Sequence, residues 1–338
     1  MEHQVEAERE ADKQEGGGSS HRHQSCGPAS REAHTLAGRN DTIEIQIPRC
    51  SVETRSRPLL LASAASCGEY AALVIVSEAA LRLAFFVVGF ALLALLEVAK
   101  PEAELRTRRA IRWPRNLAMA VINTLVVRLV FPAGAVAAAI LADQRGWGLL
   151  NRFELNPALE MMIAIVALDL VVYGQHVLFH LVPLLFRFHR VHHADLDFDI
   201  TLATRFHPIE MLASMVIKYG AVLLLGASAV TVLVFESVLN LTSMFNHANI
   251  RLPGKLDRLL RLIVVTPAMH RVHHSYHPSE TNSNFGFNLP WWDRLFGTYR
   301  QQSVDSPITI GLPELLSATN QSLVWMLRLP FRQPSTNE

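Results

Sequence analysis

Four stretches of this chain are apolar for longer than a soluble helix needs, and this restricts its fold more than any other feature. A helix needs ~20 predominantly apolar residues to cross the bilayer core. Residues 80–99, ALRLAFFVVGFALLALLEVA, reach that length with one arginine near the start. Residues 117–142 form a second stretch, and Pro132 within it predicts a kink. A third runs over 157–185. The fourth, 210–245, holds Lys218 and the sequence Gly226-Ala227-Ser228, where two short helices can be joined. Half of all residues are hydrophobic, and the mean hydropathy is +0.21, high for a soluble protein. The expected fold is all-α: an integral membrane helical protein with about four spans, the fourth region a helical hairpin.

Charge gives the orientation. Residues 100–115 carry Lys100, Arg106, Arg108, Arg109, Arg112 and Arg115, and residues 251–261 carry Arg251, Lys255, Arg258 and Arg261. Short basic loops stay in the cytoplasm, so both segments are expected on that side. For a bacterial chain the membrane is the inner, plasma membrane. The net charge of +1 gives no broad signal for nucleic acid. Cys26, Cys50 and Cys67 precede the apolar region, which argues against a disulfide framework or a cysteine metal site. Residues 1–58 are polar and glycine-rich, and read as a disordered tail. Residues 59–156 read as N-terminal membrane helices, 157–305 as a histidine-bearing domain, and 306–338 as a C-terminal tail or interfacial helix.

Histidine supplies the chemistry. The pentapeptide HRVHH occurs at 189–193 and again at 270–274, in a chain with 15 His among 338 residues. His176 and His180 in HVLFH stand one helical turn apart, and Asp169 and Tyr173 continue their stripe. Ionisable groups within a span normally face the protein interior and mark function. Imidazole suits zinc, copper, iron and nickel. Four ligands complete a tetrahedral zinc, so eight histidines in three boxes point to two metals. His207, His247 and His277 lie close to the boxes in sequence. A zincin HExxH is absent from the sequence. If both HRVHH sets serve one site, residues 210–247 must leave and return on the same side of the membrane.

The order HxxxH, HxxHH, HxxHH resembles the membrane-bound fatty acid hydroxylase/sterol desaturase superfamily. RFHPIE, FNHANIRLP, TPAMHRVHHS and NFGFNLPWWDRLFGTY resemble further family signatures, and the likeness covers roughly 157–300. The resemblance implies that His176, His180, His189, His192, His193, His270, His273 and His274 bind two irons, with His247 as a ninth ligand. His207, Asn249 and His277 are candidates as further ligands or supporting groups. Metal-bound imidazoles need outer partners, for which Asp169, Glu210, Asp293 and Asn284 are the candidates. Trp291, Trp292, Phe296 and Tyr299 are candidates for seating the domain at the interface, where aromatics are favoured.

By the same resemblance the chain is a non-haem di-iron oxidoreductase that uses O₂ to attack a lipid C–H bond. Hydroxylation is favoured, with a lipid or sterol desaturase as the alternative. A membrane metal transporter and a non-catalytic haem protein are rivals from other classes. Electrons come from a separate donor protein, the substrate enters from the membrane, and the active site faces the cytoplasm. Phe179, Met244, Phe245 and Met269 are candidates for the walls of a substrate channel.

Overall fold

Proline sets the entry of five helices. Its fixed φ suits the first helical turn, and its missing N–H costs nothing there. Pro157, Pro183, Pro208, Pro267 and Pro278 each stand at a helix start. The residue before each proline is extended or nearly so, which turns the chain sharply into the new helix. Asn156, His207 and Thr266 add side-chain caps, accepting from Ala158 N, Ile209 N and Met269 N.

The computed structural model describes residues 60–316 and 321–332. The expected 1–58 tail lies outside the described residues, as do the gaps at 317–320 and 333–338. The helices are α1 (Leu60–Ala99), α2 (Arg109–Val130), α3 (Gly134–Arg145), α4 (Pro157–Leu181), α5 (Pro183–His193), α6 (Pro208–Leu225) and α7 (Ala229–His247). Then follow α8 (Gly254–Leu260), α9 (Pro267–His273), α10 (Pro278–Thr281), α11 (Trp291–Leu295) and α12 (Leu323–Arg328). There is no β-strand among the described residues, which carry isolated bridges alone, Pro101–Ile250 and Ser275–Ile310.

Among the described residues, five helical segments are long and apolar enough to cross a membrane: 80–99, 109–152, 157–181, 208–225 and 229–247. Their outward faces are apolar, with Leu83, Leu95, Leu129 and Leu224 all more than half exposed. The protein is an integral membrane protein. The second segment starts earlier than its hydropathy suggests. Its first turns contain Arg109, Arg112 and Arg115, and Arg112 is buried rather than lying in a loop. The kink predicted at Pro132 is a full break between α2 and α3.

The fourth apolar region is a helical hairpin. Gly226, at φ 70°, ends α6 in the left-handed conformation, and Ser228 caps α7 by accepting from Thr231 N. Gly148 lies against this turn. A Cβ there would come within 2.2 Å of Gly226 N, and its φ of +101° also excludes other residues. Leu149 N donates to Leu224 O, and Ser228 N to Glu160 Oε1. The α3–α4 connection and the α6–α7 turn therefore share one end of the bundle. At the opposite end α7 delivers His247, α4 delivers His176 and His180, and the basic segments run side by side, Arg251 N donating to Lys100 O.

Between α1, α2, α4, α6 and α7 lies a cavity of about 420 Å³. Its walls include Phe86, Val127, Leu168, Phe179, Phe235 and Met244. Thr124, Arg128 and Asn240 are cavity-lining and exposed, so they mark its mouth on the side of the bundle.

Candidate metal centre

The two HRVHH segments fold alike because both are short, proline-initiated helices. α5 follows α4 after a corner at Val182-Pro183, which brings the second box back over the first. α9 enters from Thr266-Pro267. In each pentapeptide the valine is fully buried, Val191 at 0% and Val272 at 1% exposure. The arginines tie each box to another segment. Arg190 donates to Leu329 O and Arg332 O beside α12, while Arg271 donates to Asn249 Oδ1 at 3.1 Å and covers the Phe198 ring. The histidines are left to face one another.

They do so in two groups. His176, His180, His189, His193 and His273 form one; His192, His247, His270 and His274 form the other. Within each group one ring nitrogen per residue lies within 4.8 Å of all the others. All nine are buried. The groups touch: the rings of His193 and His274 stack with centroids 4.5 Å apart, and His192 stands 5.4 Å from His193.

The ring nitrogens show what these groups suit. Nδ1 of His176 faces Phe285 O, that of His273 faces Ser283 O and that of His247 faces Ser243 O, each at 2.7 Å. Nδ1 of His189 meets Glu210 Oε1 at 2.6 Å. Each such contact fixes the tautomer with the proton on Nδ1 and leaves Nε2 as an acceptor aimed into its group. Nε2 of His176 and His273, and both nitrogens of His180 and His274, are buried without a hydrogen-bond partner. Nε2 of His247 faces Nε2 of His192 at 3.2 Å and of His270 at 2.9 Å. Buried acceptors converging on one another without donors are costly. A cation in each group would satisfy them.

Burial is the main cause, and neighbouring imidazoles the second, that push His192, His193, His270, His273 and His274 well below the ordinary histidine value. The rings are therefore neutral at pH 7, the state that binds a metal.

Of the proposed outer partners, Glu210 touches an imidazole directly. Asp293 acts one step further out. Its carboxylate accepts from Phe285 N, Gly286 N and Thr298 Oγ1, which positions the Phe285 carbonyl beside His176. Asn284, at φ 51°, anchors the same segment through Met269 O and Arg300 O. Asp169 accepts from Leu289 N and Trp292 Nε1, and Tyr173 bonds Thr298, so the upper half of the α4 stripe seats this C-terminal segment. Trp292 is thus tied inward, whereas Trp291 and Phe296 are exposed.

Three sequence candidates lie outside the two groups. His207 caps α6 and faces Leu327 O, His277 pairs with Asp305 at 2.9 Å, and Asn249 holds Ala103 through both its amide atoms. Of the channel candidates, Phe179 and Met244 line the cavity. Met269 is buried and Phe245 half-buried, neither forming part of its wall.

Sequence reasoning missed the charged scaffold under the site. Arg112 binds Asp195 and Asp199, the latter at 2.8 Å, and Arg205 binds Asp195 at 2.9 Å. Glu97, fully buried at the end of α1, accepts from Ile200 N and Asn249 N. Asp197 accepts from Arg106 N and Thr107 N. The alternating acids of DLDFD were the available signal: acids spaced two apart beside a buried site need paired donors.

His176 and His189 line both the first histidine group and the cavity, so the cavity ends at the site. A membrane helix bundle whose apolar cavity ends on two adjoining groups of buried imidazoles is the class of protein that fold and site define. Residues 161–298 match the family described as fatty acid hydroxylase, in line with the superfamily that the sequence resembles. It is similar to an ornithine lipid hydroxylase of Rhizobium tropici, at 33% identity over 46% of each chain. It is also similar to the cholesterol 25-hydroxylase of Rattus norvegicus, at 29% identity over 51% of this chain and 57% of that one. An alkylglycerol monooxygenase of Danio rerio is 30% identical over 42% of this chain and 30% of its own. The chain spans about half the length, or less, of these relatives. No solved structure matches it.

Proposed function

We propose that the protein is a membrane-bound, O₂-dependent di-iron oxidoreductase that hydroxylates a lipid. The observation that carries this reading is the junction of the cavity with the imidazole groups at His176 and His189. An apolar cavity open to the side of a membrane bundle selects a hydrocarbon. A purely imidazole donor set suits iron among other metals, and the superfamily likeness favours iron. His176, His180, His189, His193 and His273 would hold one ion, and His192, His247, His270 and His274 the other. The pair supplies the O₂ chemistry that an unactivated C–H bond demands and side chains cannot.

The protein's own groups do the rest. Glu210 and the carbonyls of Phe285, Ser283 and Ser243 keep four imidazoles in the ligating tautomer. The apolar walls orient the chain of the substrate and exclude water from the reacting carbon. Asn123 donates to Phe206 O, and its own carbonyl oxygen is buried in the cavity wall without a partner, ready to accept from a hydroxyl.

The relatives named for hydroxylation and monooxygenation favour hydroxylation over desaturation. Transport is disfavoured by the position of the clusters, which sit at one end of the bundle rather than midway along the helices. A haem needs one or two axial histidines and leaves most of the nine unexplained. The basic segments at 100–109 and 251–261 favour a cytoplasmic site, with a separate protein as electron donor.

Lipid profiling of cells with and without the gene, supplied with a donor, tests the reading. An oxygenated lipid that depends on the protein is expected. A new double bond without added oxygen would reassign the reaction to desaturation, and an unchanged lipidome would remove the lipid-oxidation reading.

A further inference from the structure

The cavity is not uniformly apolar. Arg82 of α1, Lys218 of α6 and Glu236 of α7 meet in its wall, all within membrane-spanning segments. Lys218 Nζ donates to Glu236 Oε1 at 2.6 Å, and Arg82 binds Glu236 Oε2. Ionisable groups in a span are expensive and usually mark a substrate or ion path. A cluster that served packing alone would be closed over by neighbouring side chains. This one lines the cavity that His176 and His189 also line.

Its remaining hydrogen-bonding capacity has one sign. Both oxygens of Glu236 are engaged. Lys218 carries three donors, of which one is directed to Glu236. Lys218 keeps 21% of its side chain accessible. The cluster can therefore take an acceptor oxygen. Arg82 and Lys218 share the one carboxylate of Glu236, so a neutral hydroxyl is favoured over an anion by the cost of desolvating a further ion at this depth, not by charge balance.

The helices give the spacing. On α7, Glu236 and His247 are eleven positions apart (247 − 236). On α6, Lys218 and Glu210, the partner of His189, are eight apart (218 − 210). At 1.5 Å per residue these separations are roughly 16 Å and 12 Å. The polar cluster and the imidazoles are thus separated by these distances along one largely apolar cavity.

We infer that Lys218 anchors the polar end of the substrate, donating to the hydroxyl oxygen of an elongated lipid alcohol and so setting which carbon reaches the imidazoles. Lys218 acts as a positioning residue. The inference rests on the oxidative reading of the imidazole end for its chemical consequence, but not for binding.

The test uses full-length, iron-loaded protein in nanodiscs, with a long-chain alcohol, the matching carboxylate and the parent alkane as probes. Binding is read by thermal stabilisation, and the position of oxidation by mass spectrometry. The wild type should bind the alcohol roughly tenfold more tightly than the alkane, the value of one hydrogen bond to a charged donor. Lys218→Met should erase that difference while leaving alkane affinity unchanged, and should scatter the oxidised positions. Lys218→Gln, which loses the charge but keeps an N–H donor, should retain most of the preference. In both variants Glu236 keeps Arg82 as its partner, and unchanged iron content checks the fold. Equal loss for alcohol and alkane, or no loss in Lys218→Met, overturns the anchor. A wild-type preference for the carboxylate overturns the choice of a neutral head. If the binding pattern holds but no probe is oxidised with a competent donor, the anchor stands and the oxidative reading fails.

Discussion

At the scale of the residue, the repeated HRVHH has a division of labour. Histidines face the centre, valines fill the core, and arginines reach away to Leu329, Arg332 and Asn249. The histidine positions were legible because three imidazoles at this spacing have few other uses. The arginine partners were not, since they depend on which distant carbonyl the fold brings near. Glu210 was legible as an outer partner, but Phe285 O and Ser283 O were not, because a backbone carbonyl leaves no mark on composition. Glu210→Gln is expected to weaken metal binding by about 10- to 100-fold, read by competition with a chelator. Unchanged affinity would show that His189 does not need its carboxylate. The imidazoles also set a pH dependence. His192, His193, His270, His273 and His274 are held well below 6.5, first by burial, so the folded metal-free chain refuses protons that the unfolded chain accepts. Their contribution is complete above about pH 6.5 and is lost as the pH falls below it, by up to ~1.4 kcal/mol per group per pH unit. Thermal denaturation of the metal-free protein should show a lower midpoint at pH 5.5 than at pH 7.5; equal midpoints would contradict the neutral, desolvated rings.

At the scale of the element, hydropathy found the spans, and Gly226-Ala227-Ser228 marked the hairpin turn where it occurs. Ends were harder. α2 begins at Arg109 because Arg112 is neutralised by Asp195 and Asp199, a tertiary effect that a window of hydropathy cannot register. The hairpin has a topological consequence. Residues 108, 190, 255 and 271 belong to one end of the bundle and residue 147 to the other. Cysteine labelling should therefore find 108 and 255 reactive from the cytoplasm and 147 from the opposite side. Labelling of 108 and 255 from opposite sides would break the hairpin. Gly148→Ala is expected to destabilise the protein by ~1 kcal/mol or more, since its Cβ meets the Gly226 backbone and its φ is positive. An unchanged melting temperature would show that the turn is not close-packed.

At the scale of the whole molecule, membrane spans, charged scaffold and imidazole groups form one device. The spans enclose a largely apolar cavity, and the network of Glu97, Arg112, Asp195 and Arg205 fixes the loop that follows the second box. The cavity was only partly legible: Phe179 and Met244 line it, while Met269, next to a box in sequence, lies outside its wall. Met244→Trp should therefore block long substrates while leaving iron bound, and product analysis across chain lengths reads this directly. Retained turnover of every length would remove Met244 from the path. All of this depends on the nine histidines acting as two metal sites. Iron analysis of the purified protein, with its absorption spectrum, tests that most directly, in the wild type and in His273→Ala and His192→Ala, one from each group. Two non-haem irons per chain in the wild type, and fewer in each variant, are the expected result. A haem band, or iron content unchanged by both substitutions, would contradict it.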